Sequence, residues 1–214
     1  MSAILDALLA IASSPWCYVV LAGLLIVDGF FPFVPGETAV VALATLGAAG
    51  RGPQEWLVLI VAIAATMLGD GIAFAIGRRT GLSRWSWMRR ARVQSMFAWA
   101  GRGLHGRTIL FFVIAKFVPY ARVLVTMTGG ASRLPIPRYL RASLIAATVY
   151  TAYHVFVGTA AGTLFASNPL LATAIAIATV AVLGVVAEMV NRAIRRRRER
   201  RELMSEALDV DPGL

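Results

Sequence analysis

The sequence predicts an all-α integral membrane protein, an inverted repeat with two facing re-entrant helical hairpins and about three to four spanning helices. Three observations predict it. The 214-residue chain is 58% hydrophobic, above the roughly 45–50% of soluble domains. Its apolar residues gather into long runs: Tyr18 to Phe33, Trp56 to Ile76, Leu140 to Phe165 and Pro169 to Val190. A spanning helix needs roughly 20 such residues for a hydrocarbon core of about 30 Å, and these runs exceed the core helices of an ordinary soluble all-α protein. Finally, Phe-Val-Pro occurs twice, at Phe33 to Pro35 and at Phe117 to Pro119, with apolar arms of similar length on both sides.

Charge narrows the class. The formal charge is +10, from 21 basic and 11 acidic residues, and Lys116 is the only lysine. The arginines flank apolar runs, which is the pattern of cytoplasmic loops in membrane proteins and not of a nucleic-acid binder. Cys17 is the only cysteine, so no intramolecular disulfide and no cysteine metal site is expected. No metal or organic cofactor is implied. The first apolar stretch has no basic residue before it, so it does not read as a cleaved signal peptide.

Residues 1–15 carry a candidate amphipathic helix, Ser2 to Ala12. The membrane domain then runs over 16–165, with hairpins at about 18–50 and 108–130. A final transmembrane helix covers 166–191, and 192–214 form an arginine-rich tail. Basic residues cluster at Arg78 to Arg107, at Arg133, Arg138 and Arg141, and at Arg192 to Arg201, whereas the first fifty residues hold none. The positive-inside rule puts those clusters in the cytoplasm and the segment around Arg51 outside. Trp56 to Gly77 therefore crosses inward, and Leu140 to Phe165 crosses outward. Thr108 to Gly130 starts and ends inside, so it cannot span once. Eleven residues precede Pro119 in it, giving an arm of about 16 Å, near half the hydrocarbon thickness. Tyr18 to Phe31 reads in two ways: as the first arm of the other hairpin with the N-terminus outside, or as a tilted spanning helix with the N-terminus inside. Symmetry and the lack of early arginines favour the first. Each hairpin follows a candidate amphipathic helix, the second being Ser83 to Ala100. Trp16, Trp56, Trp85, Trp87 and Trp99 fall where interfacial anchors belong.

Irregular backbone at membrane depth is tolerated only when packed in protein or lining a wet cavity. The breaks at Pro35, Gly36 and Pro119 should therefore face each other. Around them stand Glu37, Lys116 and Arg122, with Asp70 and Asp28 inside apolar segments. A charge at the bilayer centre costs about 2.5–3.5 kcal/mol even on permissive scales. Pairing of Glu37 with Arg122 and of Asp70 with Lys116 would offset that cost. One reading makes these pairs internal locks. The other makes Arg122 and Lys116 an anion site, with Glu37 and Asp70 as proton or competitor groups. Arginine suits phosphate because its planar fork donates paired hydrogen bonds. Gly69, Gly77 and Gly81 read as close-packing and turn glycines. His154 reads as a hydrogen-bonded interior histidine, His105 as a bland loop residue, and Glu188 with Arg192 as a local ion pair.

Taken in order, Phe31-Pro32-Phe33-Val34-Pro35-Gly36-Glu37, Gly69-Asp70, Gly77-Arg78 with Gly81, the Phe117-x-Pro119-x-x-Arg122 core, Gly129-Gly130, and Gly158 with Gly162 resemble the DedA membrane proteins. These share a domain with the SNARE-associated Golgi and VTT proteins. Departures are Lys116 where arginine is commoner, Tyr120 where glycine is common, Phe74 for a frequent tyrosine, and Tyr150 near a frequent tryptophan. The resemblance implies facing re-entrant loops in a multi-pass protein of the bacterial cytoplasmic membrane. It implies lipid movement between leaflets, with undecaprenyl or another polyprenyl phosphate as the anionic partner, and proton coupling. It implies roles for Glu37, Asp70, Lys116 and Arg122. The expected partners are membrane lipids and no nucleic acid, with homo-oligomers allowed. The protein is expected not to be an enzyme: a lipid phosphatase would need a nucleophile, a histidine and clustered basic residues. The rivals are a general phospholipid scramblase and a structural membrane-organising protein.

Topology is testable directly. In a Cys17-free variant, a cysteine at Gly52 should react with an impermeant thiol reagent from outside, and one at Arg197 only after permeabilisation. Outside labelling at Arg90 would overturn the topology.

Overall fold

The structure is a computed structural model that describes residues 14–31, 34, 36–81, 94–95, 98, 101, 108–118, 121–165, 171–175, 177–179, 182 and 189. The described residues form helices and turns with no strand. Six helices follow in order: α1 (Trp16–Asp28), α2 (Gly36–Ala48), α3 (Glu55–Thr80), α4 (Thr108–Lys116), α5 (Ala121–Ala131) and α6 (Ile136–Leu164). The first candidate amphipathic helix, the second apart from residues 94, 95 and 98, Pro35, Pro119 and the arginine-rich tail lie outside the described residues. So does most of the final helix, although Ile177 packs against Val41 and Ala161.

Length sorts the helices into two kinds. α3 and α6 have 26 and 29 residues, about 39 and 44 Å at 1.5 Å per residue. Both are long and apolar enough to cross a membrane. α1 and α2 have 13 residues each, α4 has 9 and α5 has 11, so each is about 14–20 Å long. The long helices differ slightly from the apolar runs. α6 begins at Ile136, one turn before Leu140, because Pro135 leads into the helix and Arg138 and Arg141 continue it as polar helical residues. α1 ends at Asp28, short of Phe31, because the chain turns at Gly29 and Phe30.

The packing pattern repeats across the chain. α1 lies on α3, and α4 lies on α6. α2 crosses to α6, and α5 crosses back to α3. Each short pair thus sends its first helix to one long helix and its second helix to the other. Leu21 and Leu25 of α1 meet Val58, Ala62 and Ala65 of α3. Phe112 and Ala115 of α4 meet Tyr139, Ala142 and Ala146 of α6. Arg78 then ties the end of α3 to the loop before α6 by donating to the Leu134 carbonyl at 3.1 Å.

Small residues make the crossings close. A side chain at Gly77 would run into the Met127 carbonyl of α5, and one at Gly158 into the Val41 carbonyl of α2. The buried face of α6 is mostly Ala, Gly, Ser and Thr, with Tyr139, Tyr150 and His154 as the large exceptions. Large apolar residues face outward instead, among them Trp56, Ile60, Leu68, Leu144 and Phe156. Small inside and large outside is the arrangement of helices whose solvent is hydrocarbon, where contact and not water exclusion drives association.

Gly77→Ala should therefore cost about 1–3 kcal/mol through overpacking. Gly71→Ala, on the same helix with nothing within 4 Å of its added carbon, should be neutral or stabilising by up to about 1 kcal/mol. Thermal unfolding of the two purified variants checks the contrast.

Candidate functional site: a layer of opposite charges

The two breaks between short helices carry opposite signs. Asp28 is the last residue of α1 and Glu37 the second of α2. Lys116 is the last residue of α4 and Arg122 the second of α5. The first break is thus purely acidic and the second purely basic. Asp70 adds a third carboxylate from the interior of α3. Its position is set by contact between backbones: Gly69 stands against the Ile26 carbonyl and against Gly29, next to Asp28.

Helix dipoles explain which charges need one another most. An N-terminus favours an anion and a C-terminus a cation. Glu37 and Lys116 sit at favourable ends. Asp28 and Arg122 sit at unfavourable ends, and these two pair closely. The Arg122 guanidinium also donates to the Asp28 backbone carbonyl at 2.7 Å, satisfying one of the carbonyls a helix leaves open at its end. Lys116 Nζ donates to Asp70 Oδ2 at 2.6 Å. All four side chains of these pairs are buried.

Glu37 is different. Its Oε1 lies 3.9 Å from Arg122 Nη1, and its side chain is 40% exposed against 6% for Arg122. This is a loose, half-solvated contact beside a buried one. Asp70, Phe112, Ala115, Lys116, Arg122 and Thr126 line a gap that is too tight for a water molecule. The cations are therefore neutralised by protein groups in this conformation.

A ring of aromatic residues borders the layer from α6. Phe117 stands edge-on to Tyr150 and Tyr153, and Lys116 Nζ lies 5.8 Å from the Tyr150 ring centre. His154 Nδ1 is 2.7 Å from the Tyr150 backbone carbonyl. A carbonyl can only accept, so this nitrogen carries the proton. Among the described residues no group of His, Cys, Asp and Glu is arranged to hold a metal ion.

The structure therefore brings Glu37, Asp70, Lys116 and Arg122 into one neighbourhood, with Gly36 at the start of α2. The close partner of Arg122 is Asp28, which sequence reasoning left unassigned. One signal could have found it: a charge closes the first helix and a second charge follows the break, in both halves. Gly69 and Gly77 stand at helix crossings, and Gly81, with φ +65°, closes α3.

A helical protein with an apolar exterior and oppositely charged, paired helix ends among its described residues belongs among the membrane proteins. The family model of the VTT domain matches residues 31–160. The chain belongs to this family, the domain of the DedA and SNARE-associated Golgi membrane proteins. Comparison with curated proteins and with solved structures found no match.

The two carboxylates facing Arg122 should differ in weight. Asp28→Asn removes the buried partner and should cost about 3–5 kcal/mol. Glu37→Gln removes a screened contact and should cost at most about 1 kcal/mol. Unfolding midpoints in detergent give the order, and equal losses would contradict it.

Proposed function

We propose that the protein is a transporter that flips a lipid phosphate, with undecaprenyl or another polyprenyl phosphate as the substrate class. In this reading the short helix pairs are re-entrant hairpins that meet inside the bilayer. Their lengths, about a third to a half of α3 and α6, support this. The crosswise packing supports an inverted repeat, a plan common among secondary transporters. The multi-pass chain would lie in a bacterial cytoplasmic membrane, and it would carry lipid without acting as an enzyme.

The observation that carries the proposal is the unequal hold of Arg122 on its carboxylates. Asp28 is buried and close, whereas Glu37 is loose and half exposed at 3.9 Å. A phosphate can take the place of Glu37 on the guanidinium while Asp28 keeps the arginine in position. The fork then donates paired bonds to the incoming oxygens. Lys116 would add its charge from beside Asp70. Among the described residues the layer holds three carboxylates and two cations. One proton brings its formal charge to zero, so Glu37 or Asp70 can leave a cation by protonation when phosphate arrives. That exchange would couple flipping to protons.

The tight gap also suits a purely structural lock, in which the charges only hold the helices together. A double variant separates the two readings. Arg122→Ala should abolish flipping of polyprenyl phosphate in reconstituted liposomes, and Arg122→Lys should keep only a part, because an ammonium lacks the planar fork. Arg122→Gln combined with Asp28→Asn removes both members of the buried pair and leaves no orphaned partner. Insertion and folding are verified first. A folded double variant that cannot flip supports phosphate binding. Recovery of flipping in it leaves only the lock.

A further inference from the structure

A buried phenol on α6 is under-used. Tyr150 is 5% exposed, and among the described residues its Oη has no partner in good hydrogen-bond geometry, the Glu37 carboxylate being the one acceptor close enough to interact with it. An unsatisfied buried hydroxyl weakens a fold. Packing does not account for it, because phenylalanine would make the same ring contacts. The ring lies 5.4 Å from Phe117, 4.3 Å from His154 and 5.8 Å from Lys116 Nζ. None of these uses the hydroxyl. Tyr139 and Ser143 also carry unpartnered buried hydroxyls, but Tyr139 is stacked on Phe74 with ring centres 4.0 Å apart. Tyr150 instead borders the charged layer, where Glu37, Arg122 and Asp28 all act on its phenol.

We propose that Tyr150 is a phosphate donor and that its hydroxyl selects a lipid phosphomonoester over a phosphodiester. The proposal rests on the reading in which phosphate replaces Glu37 on Arg122. A monoester presents three terminal acceptor oxygens, whereas a diester has lost one of them to its second ester link. The Arg122 fork and the Lys116 ammonium are enough for two oxygens. The third oxygen of a monoester needs one more donor, and the Tyr150 hydroxyl, which faces Glu37, is left without an acceptor when Glu37 leaves. The hydroxyl then serves the phosphate that takes that place.

Tyr150→Phe tests this without a transport assay. The full chain and the variant are purified in a non-ionic detergent. Their thermal unfolding is followed alone, with dodecyl phosphate, and with the methyl ester of dodecyl phosphate. Alone, the variant should unfold at or above the wild-type temperature, since an orphaned hydroxyl has gone. The monoester should stabilise the wild type, and its apparent affinity should fall about tenfold in the variant, the scale of one hydrogen bond to a charged group. The methyl ester should bind both proteins alike. Equal monoester affinities would overturn the donor role, and so would a variant that is less stable without ligand. Parallel losses for both ligands would overturn the selectivity. If neither ligand stabilises the wild type, the phosphate site itself falls, and the role of Tyr150 with it.

Discussion

A charge taken into an apolar interior must meet its opposite there, and the rest of this structure is arranged around that requirement. The guanidinium of Arg122 and the carboxylate of Asp28 occupy helix ends whose dipoles repel them, so neither is stable there alone. Together they cancel, and the second bond from Arg122 to the Asp28 carbonyl closes the end of α1. Lys116 and Asp70 repeat the solution nearby. The price of such pairs is desolvation, which only close and well-directed contacts offset. That condition fixes how near the two breaks must come.

The small residues at the crossings follow from it. α5 can reach α3, and α2 can reach α6, only where Gly77, Gly130, Gly158 and Gly162 leave no side chain in the way. The apolar bulk is displaced to the outer surface, where Phe156 and Leu164 are among the most exposed residues. Each short pair is held by both long helices. A shift of α3 against α6 would therefore pull on both breaks at once, and the loosest contact in the layer, Glu37 on Arg122, is the one placed to give first. Rigid pairs and one labile contact make a layer that can be exchanged without being dismantled.

Much of this was legible in the residues. Length and apolarity mark α3 and α6, and the recurring Phe-Val-Pro marks the two breaks and the charges beside them. The Asp70–Lys116 pair and the contact of Glu37 with Arg122 were legible too, but the closer, buried partner of Arg122 was not. Asp28 and Arg122 are 94 residues apart, and their pairing depends on how α1 and α5 both lean on α3. Order along the chain pointed to Glu37, which follows Pro35 much as Arg122 follows Pro119. Dipole signs at the helix ends would have pointed to Asp28. In the sequence Tyr150 stood out only as a departure near a position where tryptophan is frequent in the family it resembles. Its under-used hydroxyl is a property of the packed state, since no sequence pattern distinguishes a bonded phenol from an unbonded one. Helix limits shifted where polar residues extend a helix, as Arg138 does at the start of α6.

The separation of Asp28 from Arg122 has a meaning in time as well as in space. Synthesis proceeds at about 5–20 residues per second, so the 94 residues between them take about 5–20 s to make. Throughout that interval the acidic break exists and its basic counterpart does not. A nascent chain that has made α1 to α3 holds the three carboxylates of the layer, Asp28, Glu37 and Asp70, before either of the cations that pair with them there. Burying those carboxylates without partners costs about 2.5–3.5 kcal/mol each on permissive scales. Arrival of α4 and α5 ends that state in one step. The same charges that join the finished halves are therefore a cost to the first half until the second is made.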